Sequence, residues 1–180
     1  GISDGNIQNI RENQLKVMRA VRGCRPHIVL MNSLECRHPD HGDAAQLSID
    51  ACYYAGLEKI DTTGPDGRPQ EPWRPNHLLH DMQAIEFEPS FVVDVSDVWE
   101  QRMEAMRAFK SQFHSAEYKA EKDERETFIS NPAFLEWIES RARKLGYDVG
   151  VQYGEGFRYY HGPFGVDDLM ATLGNEKRFK

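Results

Sequence analysis

The sequence predicts an α/β fold, and three observations carry that expectation. A helical apolar period is followed at once by a short apolar run, His27-Ile28-Val29-Leu30-Met31, the pattern of a helix feeding a buried strand. That run passes through a turn into a second helical stretch. Further strand-like segments then alternate with helices, as in layered α/β domains.

The elements follow in order. Over residues 6–22, Ile7, Ile10, Gln14, Val17, Met18 and Val21 recur at helical spacing, and Gly23 closes the pattern. Arg25-Pro26 leads into a strand over 27–31. A second helix is expected over 43–55, with Ala45, Leu47, Ile49, Cys52 and Tyr53 broadly apolar and Gly56 as its stop. Residues 61–76 are dense in Gly, Pro and Asp and read as a surface loop or flap inside one domain spanning 1–180. Two strands, over 77–87 and 91–95, are separated by Glu88-Pro89-Ser90. Ser96 is the expected N-cap of a helix over 97–113, whose buried face carries Trp99, Met103, Met106, Phe109 or Lys110, and Phe113. Asn131-Pro132 opens another helix that Gly146 is expected to end, followed by an extended segment to Tyr160 and a short helix over 166–173.

Composition narrows the function. A net charge of -7 argues against a nucleic-acid surface, because phosphate contact needs clustered Lys and Arg. No apolar run reaches the roughly 20 residues that span a bilayer and no signal peptide is visible, so a cytoplasmic protein acting on a small molecule is expected. Cys24, Cys36 and Cys52 are scattered without a CxxC spacing and read as free thiols, with Cys36 placed beside the most informative stretch of the chain.

That stretch is Arg37-His38-Pro39-Asp40-His41. It sets two imidazoles and a carboxylate into one turn after a strand, where α/β proteins place chemistry. Pro39 fixes the turn, and the spacing of three lets His38 and His41 project toward one cavity. One ring can bind a metal ion while the other handles a proton, with Asp40 accepting an imidazole N–H to orient it. A structural loop is the alternative reading of the same residues. Catalytic zinc takes three protein ligands as a rule, more than this turn supplies. His77, His80 and Asp81 offer a second His-x-x-His-Asp spacing, which also reads as a partly buried structural segment beside Leu78, Leu79 and Met82. His114 and His161 stand alone.

Ordered motifs across the chain resemble the LmbE-like (PIG-L) family of zinc-dependent N-acetylglucosaminyl deacetylases. They are Asp4-Gly5-Asn6-Ile7, Arg25-Pro26-His27-Ile28-Val29, Arg37-His38-Pro39-Asp40-His41, Asp50-Ala51-Cys52-Tyr53-Tyr54-Ala55-Gly56-Leu57, Phe91-Val92-Val93-Asp94-Val95-Ser96, Lys110-Ser111-Gln112-Phe113, Gly150-Val151-Gln152-Tyr153-Gly154-Glu155-Gly156-Phe157 and Gly162-Pro163-Phe164. Among branches of that family, the chain most resembles the bacillithiol-pathway enzymes that act on N-acetylglucosaminyl-malate.

The resemblance implies a Rossmann-like three-layer fold of the LmbE type without its first strand-helix units. It implies Zn2+ as cofactor, with another divalent metal as the alternative. His41 becomes a metal ligand, His38 the imidazole that donates to the oxyanion or leaving amine, and Asp40 the residue that orients His38. Arg37 and Glu155 become candidate contacts to a small-molecule glycoside substrate, and a homo-oligomer is implied. The family's other two metal ligands and its general base lie in a His-Pro-Asp-Asp motif that this sequence does not contain. The expectation is therefore a chain that lacks the family's first portion and holds part of a divided site, with a non-catalytic carbohydrate- or partner-binding remnant, or a family deacetylase with another glycoside substrate, as the alternatives. Phe134 stands near where some relatives carry a Tyr that assists oxyanion binding, so either another Tyr such as Tyr118 supplies that donor or zinc and His38 suffice.

Overall fold

A computed structural model describes residues 1–113, 127–163 and 165–173. Its elements are α1 (Arg11–Cys24), β1 (Ile28–Met31), α2 (Pro39–Ala55), β2 (His77–Asp81), β3 (Phe91–Asp94), a 3-10 turn (Ser96–Val98), α3 (Trp99–Arg107), α4 (Pro132–Val149), β4 (Gly154–Tyr159) and α5 (Leu169–Leu173). The strands form one open mixed sheet in the order β1-β2-β4-β3. β1 and β2 run parallel with Met31 opposite His80, and β2 and β4 run antiparallel with His80 opposite Arg158. The expected α/β class is thus the observed one. No helix among the described residues is long and apolar enough to cross a membrane.

The chain forms two compact units, Gly1–Phe91 with Phe157–Gly165, and Val92–Gly156 with Val166–Lys180. In the first, α1 and α2 pack on one face of β1 and β2. Met18 and Val21 from α1 meet Ile49, Ala51, Cys52 and Ala55 from α2 over Met31 and Leu78. The small residues of α2 let the two helices approach closely, as ridge-into-groove packing requires. Val29 also packs on this cluster, whereas Ile28 and Leu30 are 54% and 62% exposed. The apolar run read as a buried strand is therefore buried on one face only, a consequence of the two-residue period of a strand.

Arg22 locks this unit. It is 4% exposed, and its guanidinium donates to the carbonyls of Ala55, Leu57 and Ile60 and to Thr62 Oγ1. Those carbonyls lie at and beyond the C-terminal end of α2, where a helix leaves acceptors unsatisfied. The 61–76 stretch contains no helix or named strand, as expected, yet it is pinned: Trp73 donates through Nε1 to the Pro26 carbonyl and through its amide to Ala55. Thr63 and Pro69 close its turn as an isolated bridge.

In the second unit, Trp99 and Tyr153 stack at 4.4 Å between ring centroids, inside a cluster with Val95, Met103, Ile138 and Ala142. Several boundaries differ from the sequence reading. The helix expected over 97–113 is α3, ending at Arg107, and Ser96 does not cap it. Its amide and hydroxyl instead donate to Asp94 Oδ1, closing a local turn that favours the 3-10 geometry. Gly146 lies inside α4, which ends at Gly150 with φ 76°. Gly146 is required for packing rather than termination, because a Cβ there would lie 2.8 Å from the Val151 carbonyl oxygen. In the first unit, the strand expected over 77–87 is confined to β2, and the helix expected from residue 6 begins at Arg11. His114, Tyr118 and Phe164 lie outside the described residues.

Replacing Arg22 by Ala leaves buried carbonyls without donors and should lower stability by about 3 kcal/mol in urea unfolding, with Lys recovering only part because it lacks the planar fork. A second outcome concerns pH. Burial raises the Cys52 thiol from 9.0 to about 11, so the unfolded chain releases that proton first. The resulting stability component is intact below pH 9.0 and is lost as pH rises through about 11. Alkaline unfolding curves of Cys52→Ala should lack it.

Candidate functional site

The site is built on the first turn of α2. His38 is the N-cap, with extended backbone at φ -92° and ψ 125°, and Pro39 occupies the first helical turn, where its missing N–H costs nothing. His38 Nδ1 accepts from the Asp40 amide at 3.2 Å, doing with an imidazole what Ser or Asp does at an ordinary cap. The helix therefore starts at Pro39, four residues before the position the apolar pattern indicated. Gly42 is also required: a Cβ would stand 2.7 Å from the Leu34 carbonyl oxygen of the incoming loop.

This capping arrangement sets the chemistry of His38. A ring nitrogen that accepts a hydrogen bond carries a lone pair, so the neutral ring holds its proton on Nε2 and presents a donor. His41 stacks beside it, with centroids 5.3 Å apart and planes 29° apart. Its Nδ1 lies 3.1 Å from Cys36 Sγ, which leaves Nε2 as the nitrogen facing away from that contact. Cys36, set apart in the sequence only by its position, thus touches the second imidazole. Both rings are half-buried, and each has its Nδ1 engaged.

Asp40 is 6% exposed, and its carboxylate accepts the Gly5 N–H at 2.6 Å. The expectation that this carboxylate accepts an imidazole N–H is corrected accordingly. The Asp40 backbone amide meets His38 Nδ1, and its side chain holds the segment preceding α1. A carboxylate in the first turn of a helix is also favoured by the helix dipole. Arg37 sits exposed at the mouth of the turn. Glu155 belongs to the second unit, on β4, where Arg102 Nε approaches it at 3.4 Å. The same guanidinium lies over Trp99. Phe134 is part of an aromatic cluster with Phe113, Phe128 and Trp137.

Among the described residues, no group of three or more His, Cys, Asp or Glu side chains is arranged to hold a metal ion. The residues present therefore do not make a metal centre on their own. His77 and His80 cannot supply one together, because in a strand a spacing of three directs side chains to opposite faces. His77 is exposed and its Nδ1 meets Tyr159 Oη at 3.0 Å, whereas His80 is 2% exposed and its Nδ1 lies 2.6 Å from the Asn32 carbonyl. The strand period was the signal that could have separated them.

No family model matches the chain. In sequence it is similar to diacetylchitobiose deacetylase of Thermococcus kodakarensis, with 28% identity over 172 residues, covering 89% of this chain and 55% of that protein. The chain thus spans about half the length of this curated relative. In structure it is similar to a conserved protein of Thermus thermophilus, with a TM-score of 0.75 and 29% identity, covering 93% of this chain and 66% of that one. It also shares its fold with N,N'-diacetylchitobiose deacetylase of Pyrococcus horikoshii at a TM-score of 0.68 and 21% identity, covering 93% and 60% of the two chains. The 4-carboxy-2-hydroxymuconate hydratase GalB of Pseudomonas putida has the fold too, at 0.67 and 17% identity over 93% of this chain and 65% of its own. The fold is that of the LmbE-type deacetylases.

The Asp40–Gly5 contact is directly testable. Asp40→Asn exchanges a charged acceptor for a neutral one, and the Gly5 amide should then exchange hydrogen about tenfold faster in NMR measurements. Unchanged exchange would remove Asp40 as the anchor of that segment.

Proposed function

We propose that this chain carries part of the active site of a deacetylase that hydrolyses the N-acetyl group of an N-acetylglucosamine conjugate. One observation carries the reading: two stacked imidazoles at the head of α2, each with Nδ1 engaged, which leaves Nε2 of each for chemistry. Similarity to a diacetylchitobiose deacetylase supports the substrate class. The finer assignment, to N-acetylglucosaminyl-malate and bacillithiol synthesis, rests on the resemblance of the motifs.

In this reading water adds to the acetamide carbonyl carbon, the C–N bond breaks, and acetate and a free amine leave. His38 Nε2–H donates a hydrogen bond to the developing oxyanion or to the departing nitrogen, which takes its proton from the attacking water, a role worth about 10²- to 10⁴-fold in rate. Asp40, through its amide, keeps the His38 proton on Nε2. A divalent cation, zinc by the resemblance, is part of the proposal, with His41 Nε2 as the one ligand the described residues supply to it. Bound there, such an ion would polarise the carbonyl and acidify water. Arg37 is proposed as a substrate contact from the mouth of the turn.

A second reading, a non-catalytic carbohydrate-binding protein, is favoured by the lack of a metal-holding group among the described residues. Acetate release separates the two. The native protein carrying this sequence, assayed with zinc on diacetylchitobiose and N-acetylglucosaminyl-malate, should release acetate from at least one. His38→Ala should lower kcat by about 10²-fold or more with KM little changed. Sugar binding without acetate release would establish the second reading instead.

A further inference from the structure

We infer that His80 is a further substrate-binding residue of the proposed site, its Nε2 accepting a hydrogen bond from a hydroxyl or amide N–H of the bound N-acetylglucosamine conjugate. The inference rests on the deacetylase reading for the identity of the ligand. Its geometry stands independently.

The contacts of the ring fix its tautomer. A backbone carbonyl can only accept, so the 2.6 Å contact between His80 Nδ1 and the Asn32 oxygen places the proton on Nδ1. Nε2 of the neutral ring is then a lone pair. It is buried without a hydrogen-bond partner among the described residues, in a side chain that is 2% exposed. Buried acceptors in native proteins are paired almost without exception, and an unpaired one marks a place where a partner arrives.

The strand then fixes the location. His80 stands opposite Met31 in the parallel register of β1 and β2, and two residues from Leu78. Met31 and Leu78 both belong to the cluster under α1 and α2, so alternation puts His80 on that same covered face. His80 is also the penultimate residue of β2, at the carboxyl end of the parallel pair. The chain leaves β1 at that end, passes through Asn32, the carbonyl that holds His80, and enters α2 at His38. The His80 ring and the His38–His41 turn thus share one end and one face of the sheet, where open α/β sheets bind ligands.

The chemistry selects the kind of partner. The described residues place no metal-holding group around His80, so its lone pair is assigned to a proton donor on the ligand. Arg158 faces it in the β4 register, and Tyr160 crosses it edge-on at 6.0 Å. An aromatic edge and polar groups around a lone acceptor suit a sugar ring that presents hydroxyls.

The test reads the imidazole itself. In the native protein labelled with ¹⁵N-histidine, His80 should show the Nδ1–H tautomer, and saturating diacetylchitobiose should move its Nε2 resonance to lower frequency. In kinetics on the same sugar, His80→Phe should raise KM about tenfold with little change in kcat, and His80→Gln, which keeps an acceptor at that reach, should restore most of it. An Nε2 resonance unmoved by saturating sugar, including one already hydrogen-bonded to buried water, overturns the inference. So does a KM unchanged in His80→Phe. If the wild-type protein releases no acetate yet the resonance moves, the deacetylase reading falls and the binding role stands; acetate release with an unmoved resonance gives the reverse.

Discussion

The first unit depends on a single buried guanidinium. Arg22, from α1, closes the carbonyl end of α2 and the chain that leaves it, holding Ala55, Leu57, Ile60 and Thr62 at once. Helix α2 has no basic residue in its last turn, so this donor from another helix supplies what its own sequence does not. The fork geometry of Arg suits several carbonyl acceptors at once, which a Lys point charge does not match. With its far end fixed and its flank packed on Met18 and Val21, α2 has little freedom to slide along the sheet. The position of its first turn, and so of His38 and His41, follows from interactions a full helix length away.

At the other end the helix is held by groups that also set chemistry. An imidazole serves as N-cap, a carboxylate reaches back to Gly5, and a thiol touches the second imidazole. These contacts engage Nδ1 of each ring and the Asp40 carboxylate, and none of them uses Nε2. Capping therefore orients both rings before any ligand binds, a form of preorganisation that lowers the cost of reaching a productive geometry. The fold alone does not select the reaction. The same architecture is found in a hydratase as well as a deacetylase, so the assignment of chemistry rests on the residues of the turn.

Much of this was legible in the sequence because local pattern and tertiary packing agree over α1, β1 and α2. Where they part, the reason is specific. His38 is the N-cap of α2, and nothing in its sequence position announces that an imidazole can start a helix. Gly146 looks like a stop because glycine ends helices, but it is there for a close backbone contact inside α4, and the left-handed residue is Gly150. Residues 82–87 carry strand-like composition without joining the described ladders. Asp40 lies in a motif whose sequence neighbours are His38 and His41, yet its carboxylate bonds Gly5, 35 residues away, a contact no local pattern encodes. The pairing of imidazoles in one turn was readable from spacing; what holds each ring was not.

The distribution of satisfied groups then separates structure from function. At the Arg22 end, four donors and four acceptors meet in a buried cluster. Gln70 Oε1 and His80 Nε2 are buried polar atoms without a partner among the described residues. They are not equivalent. Gln70 is a loop amide whose other atom bonds the Arg19 carbonyl, and water reaches a loop readily. His80 is fixed by a strand on one side and the Asn32 carbonyl on the other, so its lone pair can be neither turned away nor exchanged. A sequence that completes its polar network so fully at one end of α2 and leaves a locked acceptor at the carboxyl end of β2 violates local consistency where ligands bind, as functional sites do.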